Sequence, residues 1–224
     1  MMTNPNGPAS RYAAAERFLR EHDADWARLV QQVGPCLHDP KAAREPYEAL
    51  VRAIAYQQLT AKAGDAMVER LKAMAGTPFP SPSEICALEP EALRACGFSG
   101  SKSATIQAIA AGALSGLVPT RAVADTMDDE VLIARLISIK GVGRWTVEMM
   151  LMYSLERIDV FPVDDFGVRE GYRRLKSLPQ QPAPKALKAL SAAWSPHRTV
   201  AAWYLWRIPR DQGDRAAPRA AAPA

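Results

Sequence analysis

The chain has 224 residues, and its hydrophobic fraction of 48% is large enough to bury a core, so it is not disordered as a whole. Its 28 basic and 24 acidic residues give a formal net charge of +4, which permits nucleic-acid binding only through a local basic surface. Three scattered cysteines (Cys36, Cys86 and Cys96) exclude a disulfide framework, a four-cysteine iron–sulfur centre and a zinc site.

Apolar residues recur at helical spacing along most of the chain, and no segment predicts a strand. Residues 1–9 are polar and residues 210–224 are rich in Ala, Pro and Arg, so both ends are expected to be disordered. Between them the pattern predicts helices over 12–20, 26–33, 46–58, 60–74, 83–88, 90–95, 101–114, 129–137, 144–155, 165–175, 184–193 and 196–207. The predicted fold class is all-α.

The turn between two of these helices carries the strongest motif, Ile139-Lys140-Gly141-Val142-Gly143-Arg144-Trp145-Thr146. Two glycines one residue apart allow a tight turn with φ > 0 and a close approach to a partner. The second glycine precedes a helix, whose first N–H groups and dipole favour an anion such as a DNA phosphate. Lys140 and Arg144 add positive charge there without base specificity. Taken alone, a Gly-x-Gly turn also suits an ordinary helical hairpin.

A second motif follows the hairpin helix: Phe161-Pro162-Val163-Asp164-Asp165-Phe166-Gly167. Either aspartate can cap the next helix, and capping alone would explain both. Together, however, the hairpin with its tryptophan and this loop resemble the helix-hairpin-helix superfamily of DNA glycosylases, and most closely its alkylpurine branch, the 3-methyladenine DNA glycosylase II type. The resemblance covers roughly residues 40–207 and is strongest over 136–169.

The resemblance implies a catalytic aspartate on this loop. In the alkylpurine branch the second aspartate of an Asp-Asp pair follows the hairpin tryptophan by twenty positions, and 165 − 145 = 20. Asp165 is therefore expected to stabilise the oxocarbenium character that develops at the sugar, as in glycosidases. Asp164 is expected to have a capping or supporting role. The helix N-terminus favours the ionised carboxylate. The reverse assignment of the two aspartates stays open.

The expected base pocket has aromatic walls, because a flipped cationic base gains from stacking on π-faces. Trp145 is the first candidate, and the resemblance favours Trp206 from the last helix. Met149 and Phe161 complete the expected cavity. For the neighbouring Trp203 and Tyr204, core packing is the better interpretation.

Further contacts to DNA are implied by the same resemblance. Residues 53–60 resemble the segment that fills the hole left by base flipping, and Gln58 aligns with the intercalating residue, with Gln57 beside it. The backbone contacts are expected from the hairpin and from Lys102 ahead of another helix, that is, from Lys140, Gly141, Gly143, Arg144, Thr146 and Lys102.

The resemblance also implies the type of product. Bifunctional members carry a lysine just after the second glycine and its neighbour, where this chain has Trp145, so no amine is placed to form a Schiff base. The expected enzyme is monofunctional and leaves an abasic site. No metal or other cofactor is expected, although a monovalent cation at the hairpin backbone is left open. The expected partner is double-stranded DNA with alkylated bases, bound by a cytoplasmic monomer without a membrane.

Two helical lobes are expected, with the active-site cleft between them. One lobe is predicted to combine residues 10–56 with 158–209, and the other to span 57–157 with the hairpin at 136–147. Two alternatives remain at this point. One is a glycosylase for deaminated or oxidised bases, and the other is a non-catalytic DNA-binding module that uses only the hairpin.

Overall fold

The structure is a computed structural model that describes residues 11–57, 59–75 and 78–208. These residues form thirteen α-helices and one 3₁₀ turn, and they contain no strand, which confirms the all-α class. The predictions for residues 1–9 and 210–224 lie outside the described residues. The helices are α1 (Ala13–His22), α2 (Ala24–Val33), α3 (Pro46–Tyr56), α4 (Ala61–Ala75), α5 (Pro82–Ala87), α6 (Pro90–Ala95), α7 (Gly100–Leu114), α8 (Arg121–Asp125), α9 (Asp129–Leu136), α10 (Arg144–Tyr153), α11 (Phe166–Leu175), α12 (Pro184–Ser191) and α13 (Arg198–Leu205), and the 3₁₀ turn is Ala192–Trp194.

Capping side chains set several of the helix starts. Asp23 caps α2 by accepting from the N–H groups of Asp25 and Trp26, and Asp128 caps α9 by accepting from Glu130. Helix α8 was not predicted from the sequence, because its five residues are too few to show a helical period.

The described residues form two compact units. The terminal unit consists of residues 11–39 and 158–208, and the central unit consists of the described part of 40–157. The unit boundary therefore falls after Asp39 rather than after Tyr56, where it was predicted. The reason is that α3 packs against α4, α7 and α10 of the central unit, with Leu50 and Ile54 fully buried.

An aromatic cluster around Trp194 organises the core of the terminal unit. The ring of Trp194 lies 5.2 Å from that of Trp26, 5.1 Å from that of Phe161 and 5.5 Å from that of Tyr172, measured between centroids. Tilted and edge-on contacts at these distances are the favoured arrangements of aromatic pairs. They join α2, α11 and the loop before α11 into one core, and this core fixes the segment that carries the two aspartates.

In the part of the chain that the structure describes, no helix is long and apolar enough to cross a membrane.

Candidate functional site

The N-terminus of α11 is built around Asp165. Its Oδ1 atom accepts a hydrogen bond of 2.8 Å from the backbone N–H of Val168, so Asp165 is the N-cap of this helix. The residue is only 4% exposed. The backbone N–H of Asp165 in turn donates to the carbonyl of Pro162 at 3.1 Å, which closes a tight turn ahead of the helix. The carboxylate is thus buried and held by the first turn of α11.

Asp164 differs from Asp165 in exposure and in its role at the helix start. Its side chain is exposed, and the helix cap is formed by Asp165. The capping role predicted for Asp164 is therefore wrong, because the N-cap position of α11 belongs to the second aspartate.

Trp206 lies directly after α13 and meets the same carboxylate. Its indole N–H donates to Asp165 Oδ1 at 2.8 Å. A Cβ atom at Gly167 would lie 2.9 Å from Trp206 Cδ1, so only a glycine at that position leaves room for the indole. The structure therefore brings Trp206, predicted as a pocket wall, into contact with Asp165 and gives its polar edge a specific partner.

The other predicted pocket residues lie in two different units. Phe161 is 7% exposed in the terminal unit, where its ring packs on Trp194. Met149 is 1% exposed and lies on α10 in the central unit, where residues 146–153 are all buried. Trp145, also on α10, is half-buried. Phe161 and Met149 thus pack into the cores of their units, whereas Trp145 keeps accessible surface.

The predicted hairpin is present between α9 and α10, and its two glycines serve different purposes. Gly141 has φ +90°, and a Cβ atom there would lie 2.0 Å from Thr105 Oγ1 on α7. Gly143 has φ −93°, which any residue adopts, and a Cβ atom there would meet nothing within 4 Å. The chain's own fold therefore requires a glycine at 141 but not at 143.

We expect Gly141→Ala to destabilise the protein by about 2 kcal/mol or more, because it combines a left-handed backbone with a steric clash against Thr105. Urea unfolding followed by circular dichroism measures this loss. Gly143→Ser is the matched control and should lose no stability, because the space around Gly143 is open and serine is at least as good an N-cap as glycine. Equal stability of the Gly141→Ala variant and the wild type would show that the turn does not need the positive φ.

The two basic residues of the hairpin also differ. Lys140 is exposed at the turn. Arg144 forms ion pairs with Glu130 and Glu148, and the hydrogen bonds that it donates to Glu130 are the main reason why the pKa of its guanidinium lies above the ordinary value. Arg144 therefore ties the start of α10 to α9 and to its own next turn. The phosphate contacts predicted for Lys140 and Arg144 stay predictions.

Three side chains that were predicted to meet DNA are engaged inside the central unit. Thr146 is 1% exposed, and its Oγ1 atom accepts a hydrogen bond of 3.0 Å from Gln57 Nε2. The ammonium of Lys102 donates to the carbonyls of Ala55 at 3.2 Å and Gln57 at 2.8 Å, and burial lowers its pKa. Thr146 and Lys102 therefore anchor the end of α3 to α10 and α7. Gln58 lies outside the described residues.

Two features of the site escaped sequence reasoning. One is Thr105, which receives the hairpin turn, and the other is the glycine pair Gly167 and Gly171 on α11. The four-residue spacing of that pair, which places both glycines on one helix face, was the available signal. Among the described residues, no group of three or more His, Cys, Asp and Glu side chains could hold a metal ion.

Comparisons with known proteins identify the family of the chain. A family model described as HhH-GPD superfamily base excision DNA repair protein matches residues 51–197. DNA-3-methyladenine glycosylase 1 of Schizosaccharomyces pombe is 46% identical over 197 residues, which cover 86% of this chain and 86% of the relative. The alkylbase DNA glycosidase-like protein mag2 of the same organism is 36% identical over 203 residues, covering 90% and 95%. A solved structure of the S. pombe 3-methyladenine DNA glycosylase in complex with abasic DNA superimposes with a TM-score of 0.80 at 46% identity, covering 87% of this chain and 95% of that one.

Proposed function

The chain belongs to the HhH-GPD superfamily of base excision DNA repair proteins, and we propose that it is a monofunctional DNA glycosylase that excises alkylated purines of the 3-methyladenine and 7-methylguanine type. The observation that carries the proposal is the buried, doubly hydrogen-bonded carboxylate of Asp165 at the start of α11. The chain matches such a relative over 86% of its length, and Asp165 supplies the buried carboxylate that the proposed chemistry needs.

The proposed reaction suits a single carboxylate because an N-alkylated purine carries a positive charge. The bond between C1′ and the base nitrogen breaks, and its electron pair stays on the base, which becomes neutral. The sugar develops oxocarbenium character, and a water oxygen then bonds to C1′ while its proton passes to the Asp165 carboxylate or to solvent. A preorganised negative charge beside C1′ stabilises that transition state. No metal or cofactor is needed for these steps.

The hairpin of the central unit is the proposed DNA-binding element. Gly143 precedes α10 and offers open space at its Cα, so a phosphate oxygen can approach the helix N-terminus closely. Lys140 on the same turn is exposed and adds positive charge. Such contacts bind the DNA backbone without reading its sequence.

Monofunctional chemistry is supported by the residues around the hairpin. Trp145 occupies the position where bifunctional relatives carry a lysine. Lys102 donates two hydrogen bonds to backbone carbonyls of its own unit. Neither position supplies an amine poised to attack C1′, so we propose that water is the nucleophile and that the strand is left intact.

Duplex DNA treated with a methylating agent tests this proposal in one assay with three readouts. We expect free 3-methyladenine and 7-methylguanine in the supernatant, no strand break before alkali treatment, and no covalent complex with borohydride. In a parallel arm, duplexes with hypoxanthine or an oxidised guanine should be processed far more slowly, because their neutral leaving groups need stronger assistance. Excision of the neutral lesions without release of methylated purines would contradict the proposed substrate class.

A further inference from the structure

Trp206 was predicted as a wall of the base pocket, and in the structure it also donates a hydrogen bond to Asp165. Both hydrogen bonds given above converge on one oxygen, because Val168 N–H and Trp206 Nε1–H each lie 2.8 Å from Asp165 Oδ1. The first donor belongs to the helix that Asp165 caps, and the second belongs to the residue after α13. The carboxylate is therefore held from two different elements of the terminal unit.

The packing of α11 against α13 explains how the indole comes to lie there. A Cβ atom at Gly171 would lie 2.3 Å from the carbonyl oxygen of Leu205, so the backbone of α13 touches α11 directly at its last turn. Gly167 lies one helical turn earlier on the same face of α11. A Cβ atom there would lie 2.9 Å from Trp206 Cδ1 and 3.1 Å from Asp165 Oδ1. The two glycines thus form a groove that seats the end of α13 and lets the indole reach the carboxylate.

We infer that Trp206 is a positioning residue for Asp165, an inference that rests on the proposed function. Its indole N–H, for which Gly167 leaves room, fixes the orientation of the carboxylate that stabilises the developing cation. A carboxylate that can rotate about its side-chain bonds stabilises the transition state less, because it must be reoriented during the reaction. A hydrogen bond to a charged group is stronger than one between neutral groups, so this donor is well suited to hold the carboxylate.

The decisive variant is Trp206→Phe, which keeps an aromatic face and removes the N–H donor. We expect its single-turnover excision rate to fall by about 10-fold, the effect of losing one hydrogen bond to a charged group. Its affinity for abasic DNA should stay within about 2-fold of the wild type. Trp26→Phe is the matched control and should leave the excision rate within about 2-fold of the wild type, because the Trp26 indole N–H has no hydrogen-bond partner among the described residues and its ring packs on Trp194 rather than on the loop of Asp165.

Double-variant kinetics separates positioning from an independent role in the pocket. If Trp206 acts through Asp165, adding Trp206→Phe to Asp165→Asn lowers the residual rate little further, because the charge that it orients is already gone. If Trp206→Phe still lowers the excision rate 10-fold in the Asp165→Asn background, the inference is overturned, and Trp206 acts instead as a pocket wall that contacts the base directly. A Trp206→Phe variant that loses only DNA affinity would also overturn the inference.

A readout that does not depend on activity tests the same contact. In protein labelled with ¹⁵N-tryptophan, the chain's five indole N–H groups give separate resonances, and Trp206→Phe identifies the one that it removes. We expect that resonance to be protected from solvent exchange in the wild type and to exchange rapidly in Gly167→Ala, where the new Cβ displaces the indole. Gly100→Ala is the control, because its Cβ would meet only Arg94 at 3.6 Å.

The two tests distinguish the inference from the function on which it rests. A wild-type protein that releases no methylated base but shows the protected Trp206 resonance, lost in Gly167→Ala, contradicts the proposed function and leaves the positioning contact standing. A wild-type protein that releases base while its Trp206 resonance exchanges as fast as in Gly167→Ala contradicts the positioning inference alone.

Discussion

Asp165→Asn is expected to lower the single-turnover rate of base excision by on the order of 10²–10³-fold, the usual effect of losing one preorganised electrostatic contact to a transition state. The substitution removes the negative charge and little else. Asparagine is as good an N-cap as aspartate, and its amide oxygen can still accept from Val168 and Trp206. The variant should therefore fold with nearly wild-type stability and bind abasic DNA normally, and the rate is measured with enzyme in excess over methylated duplex DNA.

Asp164→Asn is the control for this prediction, because it changes the neighbouring carboxylate, which is exposed and does not cap α11. Its excision rate should stay within about 2-fold of the wild type, as for most surface substitutions. The reverse pattern, with Asp164→Asn inactive and Asp165→Asn active, would transfer the catalytic role to Asp164.

Gly143→Asp is expected to separate folding from DNA binding, with a loss of DNA affinity on the order of 100-fold. The backbone of Gly143, with φ −93° and ψ 166°, is already that of an N-cap, and the space around its Cα is open. An aspartate there caps α10 well and should keep or raise the stability. The same carboxylate places negative charge where the proposed phosphate binds, and like charges in such proximity cost several kcal/mol. Fluorescence anisotropy with an abasic duplex measures the affinity.

Gly143→Ser is the companion variant, because it caps the helix without adding charge. Its affinity should fall much less than that of Gly143→Asp, and the difference should shrink at high salt, where charge repulsion is screened. If Gly143→Asp binds DNA as tightly as the wild type, then the start of α10 is not the site of phosphate contact.

The sequence predicted those features of the fold that depend on local patterns. Helical periodicity and caps placed most of the helices, and the Gly-x-Gly turn placed the hairpin between α9 and α10. The twenty-residue spacing from Trp145 favours Asp165 as the catalytic residue, which stays a prediction; the structure shows that Asp165, and not Asp164, is buried and caps α11. Each of these signals lies within a short stretch of chain.

Contacts between distant segments could not be predicted in this way. Thr146 and Lys102 were expected to face DNA, but each satisfies polar groups near the end of α3, Thr146 across 89 positions of sequence. The ion pair of Arg144 with Glu130 on the preceding helix was not predicted either, and the phosphate contact expected for Arg144 stays a prediction. A polar side chain near a DNA-binding motif can either face solvent and contact DNA or bond to polar groups inside its own unit. The sequence alone does not distinguish these two roles, because they depend on residues that are distant in the chain.

The most direct test of the central claim pairs two measurements on the wild-type and Asp165→Asn proteins, namely affinity for abasic duplex DNA and release of methylated purines from methylated duplex DNA. The account predicts equal affinities, free methylated bases from the wild type, and at least 100-fold slower release by the variant. Equal release by both proteins, or binding without release by the wild type, would contradict it.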